Sequence, residues 1–168
     1  NAPKDSIVTL ATALRNEMHD VRIMYAIEGY KRLPEFRGFG LDEGCRLLPP
    51  PALPVRKIEF IGDSMTCGYG VETTDEKEDF SDETENHYYT YAALTARALK
   101  AQHVVVARSG IGIYRNYNGP KTGNADCLPR IYDRTLFGVE DVKWDFAQYQ
   151  PDVVCVNLGT NDVSTDPY

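Results

Sequence analysis

Three short apolar segments, each ending in a turn that carries glycine or a polar residue, constrain the fold most. They are KIEFIG at residues 57–62, HVVVA at 103–107 and DVVCVNL at 152–158. Nearly continuous runs of this length that are rich in valine are typical of strands buried on both faces of a parallel sheet. Strands of this kind need helices to cover both faces of the sheet. The pattern therefore predicts an α/β fold with three layers.

Two helices are expected near these strands. The longer one is predicted over residues 87–101, where Ala is frequent and one face is shared by Tyr91, Leu94, Thr95, Ala98 and Leu99. A shorter helix is predicted to open at Pro129 and to run to Phe137, because proline is tolerated in the first turn of a helix.

The turns after the three strands are expected to converge, because the carboxyl ends of parallel strands meet at one edge of the sheet. They read GDSMT at residues 62–66, SGIG at 109–112 and GTND at 159–162. Each turn alone has an ordinary explanation as a helix cap, a loop glycine pair or an Asx turn. Together they offer a hydroxyl, a backbone N–H and a side-chain amide at one place. That combination suits acyl transfer, in which a nucleophile attacks a carbonyl and donors stabilise the oxyanion.

The motifs GDSMT, SGIG and GTND, in this order and each after a strand, resemble the first three blocks of the SGNH hydrolase superfamily. Longer segments resemble carbohydrate esterase family 2, namely KIEFIGDSMTCGYG, ETENHYYTYAALTARAL, SGIGIYRNY, LPRIYDRTLF and WDFAQYQPDVVCVNLGTND. Members of that family join an N-terminal β-sandwich (jelly-roll) domain to a flavodoxin-like SGNH domain, and they remove acetyl groups from plant polysaccharides. The resemblance implies a secreted serine esterase that acts on acetylated carbohydrate and needs no metal or other cofactor.

Three residues acquire roles through this resemblance. Ser64 matches the nucleophile, and its own backbone N–H matches one oxyanion donor. Gly110 matches the glycine whose N–H is a second donor, and Asn161 matches the asparagine whose side chain supplies a third.

Two other functions remain open. The same fold serves lipases and thioesterases, although no long apolar groove or amphipathic lid is evident in this sequence. A carbohydrate-binding protein without turnover is the other alternative, because tyrosines can stack on sugar rings. The tyrosines in question, for which core packing is the competing explanation, are Tyr69, Tyr88, Tyr89, Tyr114 and Tyr117.

No histidine matches the general base of the family, which lies in a D-x-x-H arrangement. His19 lies in the N-terminal part, His87 opens the predicted helix, and His103 opens a strand at the opposite edge of the sheet. Among these, His87 is the nearest to Ser64 in sequence. We therefore expect the base to come from the remainder of the same polypeptide or from a second chain, and these residues alone to be inactive.

The first fifty residues have a different character. Residues 7–10, 21–26 and 36–41 are β-prone pieces between glycine, aspartate and asparagine, which predicts a partial β-sandwich over residues 1–50. The proline-rich linker at 51–56 is expected to be stiff and extended. Residues 57–168 are then the N-terminal part of the SGNH domain, and the chain is expected to be truncated at both ends.

Composition excludes several partners. The net charge of −7 argues against nucleic acid, and no apolar run approaches the roughly 18 residues that a membrane span needs, so no membrane partner is expected. The four cysteines form no CxxC pair, which argues against a structural zinc site. The acidic stretch at residues 72–85 is predicted to be a solvated loop, with a rim or lid over the neighbouring turn as the alternative.

Overall fold

The structure is a computed structural model that describes residues 5–29 and 34–164. Strands in this part of the chain are β1 (Lys57–Gly62), β2 (Gln102–Ala107), β3 (Arg134–Leu136), β4 (Val139–Lys143) and β5 (Val153–Asn157). Its α-helices are α1 (Ser64–Cys67), α2 (Tyr91–Ala98) and α3 (Leu128–Ile131). Short 3-10 helices occupy His87–Tyr89, Phe146–Gln148 and Asn161–Val163.

The main sheet has three parallel strands in the order β2-β1-β5. Gly62, the last residue of β1, is paired with Ala107 of β2 and with Asn157 of β5. The carboxyl ends of all three strands therefore lie at one edge of the sheet. The predicted α/β fold with a parallel sheet is confirmed, and the strand bounds differ from the expected ones by no more than one residue at any end.

Helices pack on both faces of this sheet. On one face, Ile58 and Phe60 of β1 pack against Ala92 and Ala96 of α2. On the other face, Ile131 of α3 belongs to a second buried cluster together with Ile111 and Leu128, and Ile61 and Val106 pack against that cluster. Alternate residues of β1 thus point to opposite layers, as the pleat of a strand requires.

Helix α2 is shorter than expected, and it buries a different face. Thr90 caps it, because the Thr90 hydroxyl accepts a hydrogen bond from the Ala93 N–H at 3.3 Å, and the three preceding residues form a 3-10 turn. The buried residues are Ala92, Ala93 and Ala96, whereas Leu94 and Leu99 are exposed. The predicted face is therefore wrong. Small alanine side chains let the helix backbone approach the sheet closely, and that packing outweighs the larger apolar residues.

The segment after Pro129 also departs from expectation. Helix α3 contains this proline but ends at Ile131, and the residues beyond it form the antiparallel pair of β3 and β4. Strand β5 is not buried on both faces, since only Cys155 is partly buried and its valines are exposed. This strand lies at the edge of the sheet, so it has a strand neighbour on one side only.

The predicted strands at residues 7–10, 21–26 and 36–41 are not formed. In the described residues before Lys57 the structure contains no strand, and most of these side chains are exposed. A β-prone segment becomes a strand only when a neighbouring strand accepts and donates its backbone hydrogen bonds. Among the described residues these segments pair with no strand, although the Ala26 carbonyl accepts the His87 N–H at 2.7 Å. The β-sandwich and the domain limits stay predictions. Of the described helices, none has the length and apolar character needed to cross a bilayer.

Candidate active site

Ser64 lies where β1 ends and α1 begins. Asp63 is the cap of this short helix, because its Oδ1 accepts a hydrogen bond from the Met65 N–H at 3.1 Å. Ser64 is the first helical residue and is partly buried. Asp63 is therefore the residue that caps α1, and the Ser64 hydroxyl does not serve as the cap. Burial raises the pKa of the Asp63 carboxyl above its usual value.

Asn161 joins the third turn to the other two. It is 6% exposed, and its side-chain Nδ2 donates a hydrogen bond to the Ile111 carbonyl oxygen at 2.8 Å. The same nitrogen lies 3.5 Å from Asp63 Oδ2, which is a long contact. Ile111 is adjacent to Gly110, and Asp63 is adjacent to Ser64. The structure thus brings the three predicted turns to one place, while the catalytic roles of their residues stay predictions.

Gly110 lies in a tight turn directly after β2. The Ile111 N–H donates to the Arg108 carbonyl at 3.2 Å, so Ser109 and Gly110 are the two central residues of the turn. Gly110 has φ +77°, a left-handed conformation that side chains disfavour. In the described part of the chain, no acceptor bonds its backbone N–H. That donor is available for a ligand.

Asp162 has a role that the sequence did not reveal. Its carboxylate accepts hydrogen bonds from the backbone N–H groups of Ile113, Tyr114 and Arg115, the shortest being 2.7 Å to Tyr114. Although partial burial raises it, these backbone donors leave the pKa of Asp162 below its usual value. Asp162 thus fixes the loop that follows Gly110. The same loop requires glycine at position 112, because a Cβ on Gly112 would lie 1.8 Å from the Arg115 carbonyl oxygen.

None of the three histidines offers a ring nitrogen to Ser64. His87 Nδ1 lies 2.9 Å from the Thr66 carbonyl, and its Nε2 lies 3.1 Å from His103 Nε2. His19 is exposed and its Nε2 contacts the Arg15 carbonyl at 2.9 Å. Burial lowers the pKa of both His87 and His103. Both rings of the pair are therefore favoured in the neutral form.

Glu85, the last residue of the acidic stretch, lies in a cluster with Glu28 and Cys67, in which Glu85 and Cys67 are buried and Glu28 is partly buried. Most of residues 72–84 are exposed, as predicted for a solvated loop, but Glu85 is 4% exposed. One carboxylate oxygen each of Glu28 and Glu85, and the sulfur of Cys67, lie within 4.8 Å of one another, a spacing that fits a cation. Burial, followed by the charge of Glu28, raises the pKa of Glu85 to about 7. Burial likewise raises the pKa of the Cys67 thiol. These shifts favour the protonated forms rather than the charged forms that bind metals.

The chain belongs to the GDSL-like lipase/acylhydrolase family, whose model matches residues 60–167. A serine at the carboxyl edge of a parallel sheet, beside glycine and asparagine turns, agrees with that class. Among curated proteins, the chain is 42% identical over 162 residues to the cellulase/esterase CelE of Acetivibrio thermocellus, covering 95% of this chain and 19% of that protein. It is 38% identical over 147 residues to an acetylxylan esterase/glucomannan deacetylase of Cellvibrio japonicus, covering 87% of this chain and 40% of the relative.

Solved structures agree with this assignment. A family two carbohydrate esterase from Clostridium thermocellum, determined in complex with cellohexaose, matches with a TM-score of 0.67 and 47% identity over 72% of this chain and 36% of that chain. A family two carbohydrate esterase from Cellvibrio japonicus matches with a TM-score of 0.63 and 40% identity over 70% of this chain and 34% of the other. The similarity to carbohydrate esterase family 2 that the sequence predicts is confirmed. The chain spans less than half the length of these relatives.

Proposed function

We propose that the protein is a serine esterase that removes acetyl groups from carbohydrate, with Ser64 as the nucleophile. The observation that carries the proposal is the contact of Asn161 Nδ2 with the Ile111 carbonyl and with Asp63. It supports the proposal because Ile111 adjoins Gly110 and Asp63 adjoins Ser64, the residues proposed to supply an oxyanion donor and the nucleophile. The relatives named as acetylxylan esterases and the relative bound to cellohexaose support carbohydrate as the substrate class.

The proposed reaction begins with attack of Ser64 Oγ on the acetyl carbonyl carbon, while the hydroxyl proton passes to a base. The tetrahedral oxyanion accepts hydrogen bonds from the backbone N–H groups of Ser64 and Gly110 and from Asn161 Nδ2. One Nδ2 hydrogen is used by Ile111, and the other, whose direction that bond fixes, has only the long contact to Asp63 and is the one proposed to donate to the oxyanion. Collapse releases the sugar hydroxyl, which takes up the proton. Water then attacks the acetylated serine, releases acetate and restores Ser64.

The base is proposed to be a histidine outside these 168 residues, on the remainder of the polypeptide or on a second chain. Support comes from the contacts of His87 and His103, which engage each other and the Thr66 carbonyl rather than Ser64. A serine without a base is a weak nucleophile at neutral pH. We therefore expect residues 1–168 alone to hydrolyse 4-nitrophenyl acetate far more slowly than the full-length protein. Equal rates per molecule would contradict an external base.

The decisive test of Ser64 is its replacement in the full-length protein. Ser64→Ala is expected to abolish hydrolysis of acetylated xylan and of 4-nitrophenyl acetate, because alanine has no oxygen to attack the acetyl carbonyl. Ser81→Ala, in the acidic loop, is the matched control and should leave the rate unchanged. Near-normal turnover by Ser64→Ala would remove this serine from the mechanism. Comparing acetate with octanoate esters separates the proposal from a lipase or thioesterase.

A carbohydrate-binding protein without turnover is the second candidate. Exposed tyrosine rings favour it, since Tyr69, Tyr89, Tyr114 and Tyr117 are each at least half exposed. Tyr117 lies beside the candidate site, because its backbone N–H donates to the Gly110 carbonyl at 2.7 Å. Binding of xylo- or cello-oligosaccharides without covalent labelling by a serine-directed phosphonate would support this candidate. Labelling at Ser64 would exclude it.

We further propose that residues 1–50 form part of a β-sandwich, joined by the linker at 51–56 to the esterase domain at 57–168. Large apolar side chains exposed among the described residues before Lys57 support a covering partner, for example Ile7, Val8, Val21 and Phe36. Limited proteolysis of the full-length protein should cut first near Pro49–Pro54. A linker that resists proteolysis would contradict this division into two domains.

Because polysaccharide is met outside the cell, we also propose that the protein is secreted. Fractionation of the source cells tests this proposal.

A further inference from the structure

We propose that Glu28 is a positioning residue for the oxyanion hole. Its carboxylate oxygen Oε2 accepts a hydrogen bond from the Ser109 backbone N–H at 2.9 Å, across 81 positions of the sequence. Ser109 immediately precedes Gly110, whose N–H is the second proposed oxyanion donor. The inference rests on the proposed esterase function and adds a residue from the N-terminal part of the chain to its site.

The conformation of the turn explains why Ser109 matters. Ser109 and Gly110 are the two central residues of a turn that closes from Arg108 to Ile111, and the positive φ of Gly110 is the mark of a type II turn. Types I and II differ by a flip of the central peptide, which here is the unit that contains the Gly110 N–H. A flip would point this N–H to the opposite side. The Ser109 N–H belongs to the preceding Arg108–Ser109 peptide, so an acceptor that holds it fixes where the turn begins and thereby the position from which the Gly110 N–H is presented.

Glu28 also lies close to the end of the helix that carries Ser64. Its carboxylate lies within 4.8 Å of the Cys67 sulfur and of a Glu85 carboxylate oxygen. Cys67 ends α1, the helix that begins with Ser64. The segment that carries Glu28 is tied down nearby, because the His87 N–H donates to the Ala26 carbonyl at 2.7 Å. Glu28 thus links the helix of the nucleophile to the turn of the oxyanion donor.

The test is a comparison of Glu28→Ala and Glu28→Gln in the full-length protein with 4-nitrophenyl acetate. Removing one oxyanion donor lowers kcat about 10²- to 10³-fold, and a misplaced donor is expected to cost about 10- to 100-fold with KM little changed. Glutamine keeps an acceptor oxygen for Ser109 and offers an N–H to Glu85, so Glu28→Gln should retain most of the rate. Met24→Ala is the matched control, because Met24 is on the same segment as Glu28 but lines a separate hollow with Asn86 and Tyr88. It should leave kcat unchanged.

A second measurement does not depend on catalysis. Amide hydrogen exchange at Ser109 should be faster in Glu28→Ala than in the wild type, and unchanged in Met24→Ala. If amide exchange at Ser109 is unchanged in Glu28→Ala, the contact between Glu28 and Ser109 is overturned. If exchange is faster but kcat is normal, the positioning role of Glu28 is overturned. The positioning role is also overturned if the kcat of Glu28→Gln is as low as that of Glu28→Ala. Failure of the esterase proposal is separate, because it appears as persistent hydrolysis by Ser64→Ala or as an inactive wild type.

Discussion

The side-chain amide of Asn161 donates a hydrogen bond to the carbonyl oxygen of Ile111 at 2.8 Å, linking two turns that are 50 positions apart in the sequence. This bond fixes the orientation of the amide plane, because Nδ2 must face Ile111. The second Nδ2 hydrogen then points in a defined direction, with only a 3.5 Å contact to Asp63 competing for it. A donor that is oriented before the substrate arrives costs little reorganisation in the transition state.

Asn161→Ala is expected to lower kcat of the full-length protein about 10²- to 10³-fold, because the proposed oxyanion donor is lost. KM should change little, since the donor acts on charge that develops only in the transition state. Steady-state kinetics with 4-nitrophenyl acetate measure both constants. Asn16→Ala, at an exposed position before Lys57, is the control. A large rise in KM with normal kcat would show that Asn161 binds substrate instead.

Asp162→Asn is expected to destabilise the fold by about 1–3 kcal/mol, because hydrogen bonds to a charged acceptor are replaced by bonds to a neutral one. The pKa of Asp162 is lowered, so its stabilising effect is present above the usual aspartate value of 3.8 and is lost as pH falls through the folded value. Urea denaturation of the variant beside the exposed control Asp141→Asn measures the difference. Equal unfolding midpoints for the two variants would contradict the role of Asp162 in holding the loop at Ile113–Arg115.

The raised pKa of Glu85 predicts that the free energy of unfolding falls as the pH rises. Burial, and then the charge of Glu28, raise the pKa of Glu85 from 4.5 to about 7, so the native state keeps a proton that the unfolded chain releases. The contribution is full below pH 4.5 and is lost as pH rises through about 7. Glu85→Gln should flatten this part of the profile of unfolding free energy against pH. Glu83→Gln, exposed in the same loop, should not. Identical profiles for the wild type and Glu85→Gln would contradict the assignment.

For His87 we expect the opposite dependence of stability on pH. Burial lowers the pKa of both His87 and His103, so the contribution of the two neutral rings to stability is fully present above pH 6.5. It is lost as the pH falls through their lowered folded-state values. His87→Gln should weaken this acid sensitivity while leaving kcat close to the wild-type value, since the His87 ring contacts Thr66 and His103. Thermal unfolding between pH 5 and 8, with kinetics at neutral pH, measures both. A fall in kcat of about 10² to 10⁴ would instead make His87 the general base.

The sequence predicted the elements of the site better than the elements around it. Strand β1 and the three turns could be found because buried parallel strands read as apolar runs and turns read as glycine and polar residues. The buried face of α2 could not, because alanine gives a weak apolar signal and only the sheet determines which face it meets. The strands expected before Lys57 failed for a related reason, since local β-propensity does not supply a partner.

Asp162 and Glu28 mark another limit. Asp162 follows a predicted site residue, and its carboxylate accepts hydrogen bonds from the backbone N–H groups of Ile113–Arg115. Because nearly every residue has a backbone N–H, the sequence does not show which of these groups a given carboxylate will bind. Glu28 reaches Ser109 from a segment that was assigned to another domain. No local pattern distinguishes such an acid from a solvated one.

By itself, the sequence determined the class of this protein, because the order of apolar strands and polar turns predicts a parallel sheet with those turns at one edge, and because the motifs GDSMT, SGIG and GTND resemble a known superfamily. It also determined which residues stand in those turns. Only the tertiary structure decided how the turns are held, through Asn161 on Ile111, Asp162 on the following loop and Glu28 on Ser109. These hydrogen bonds join positions far apart in the chain, and their geometry exists only once packing has brought the strands together.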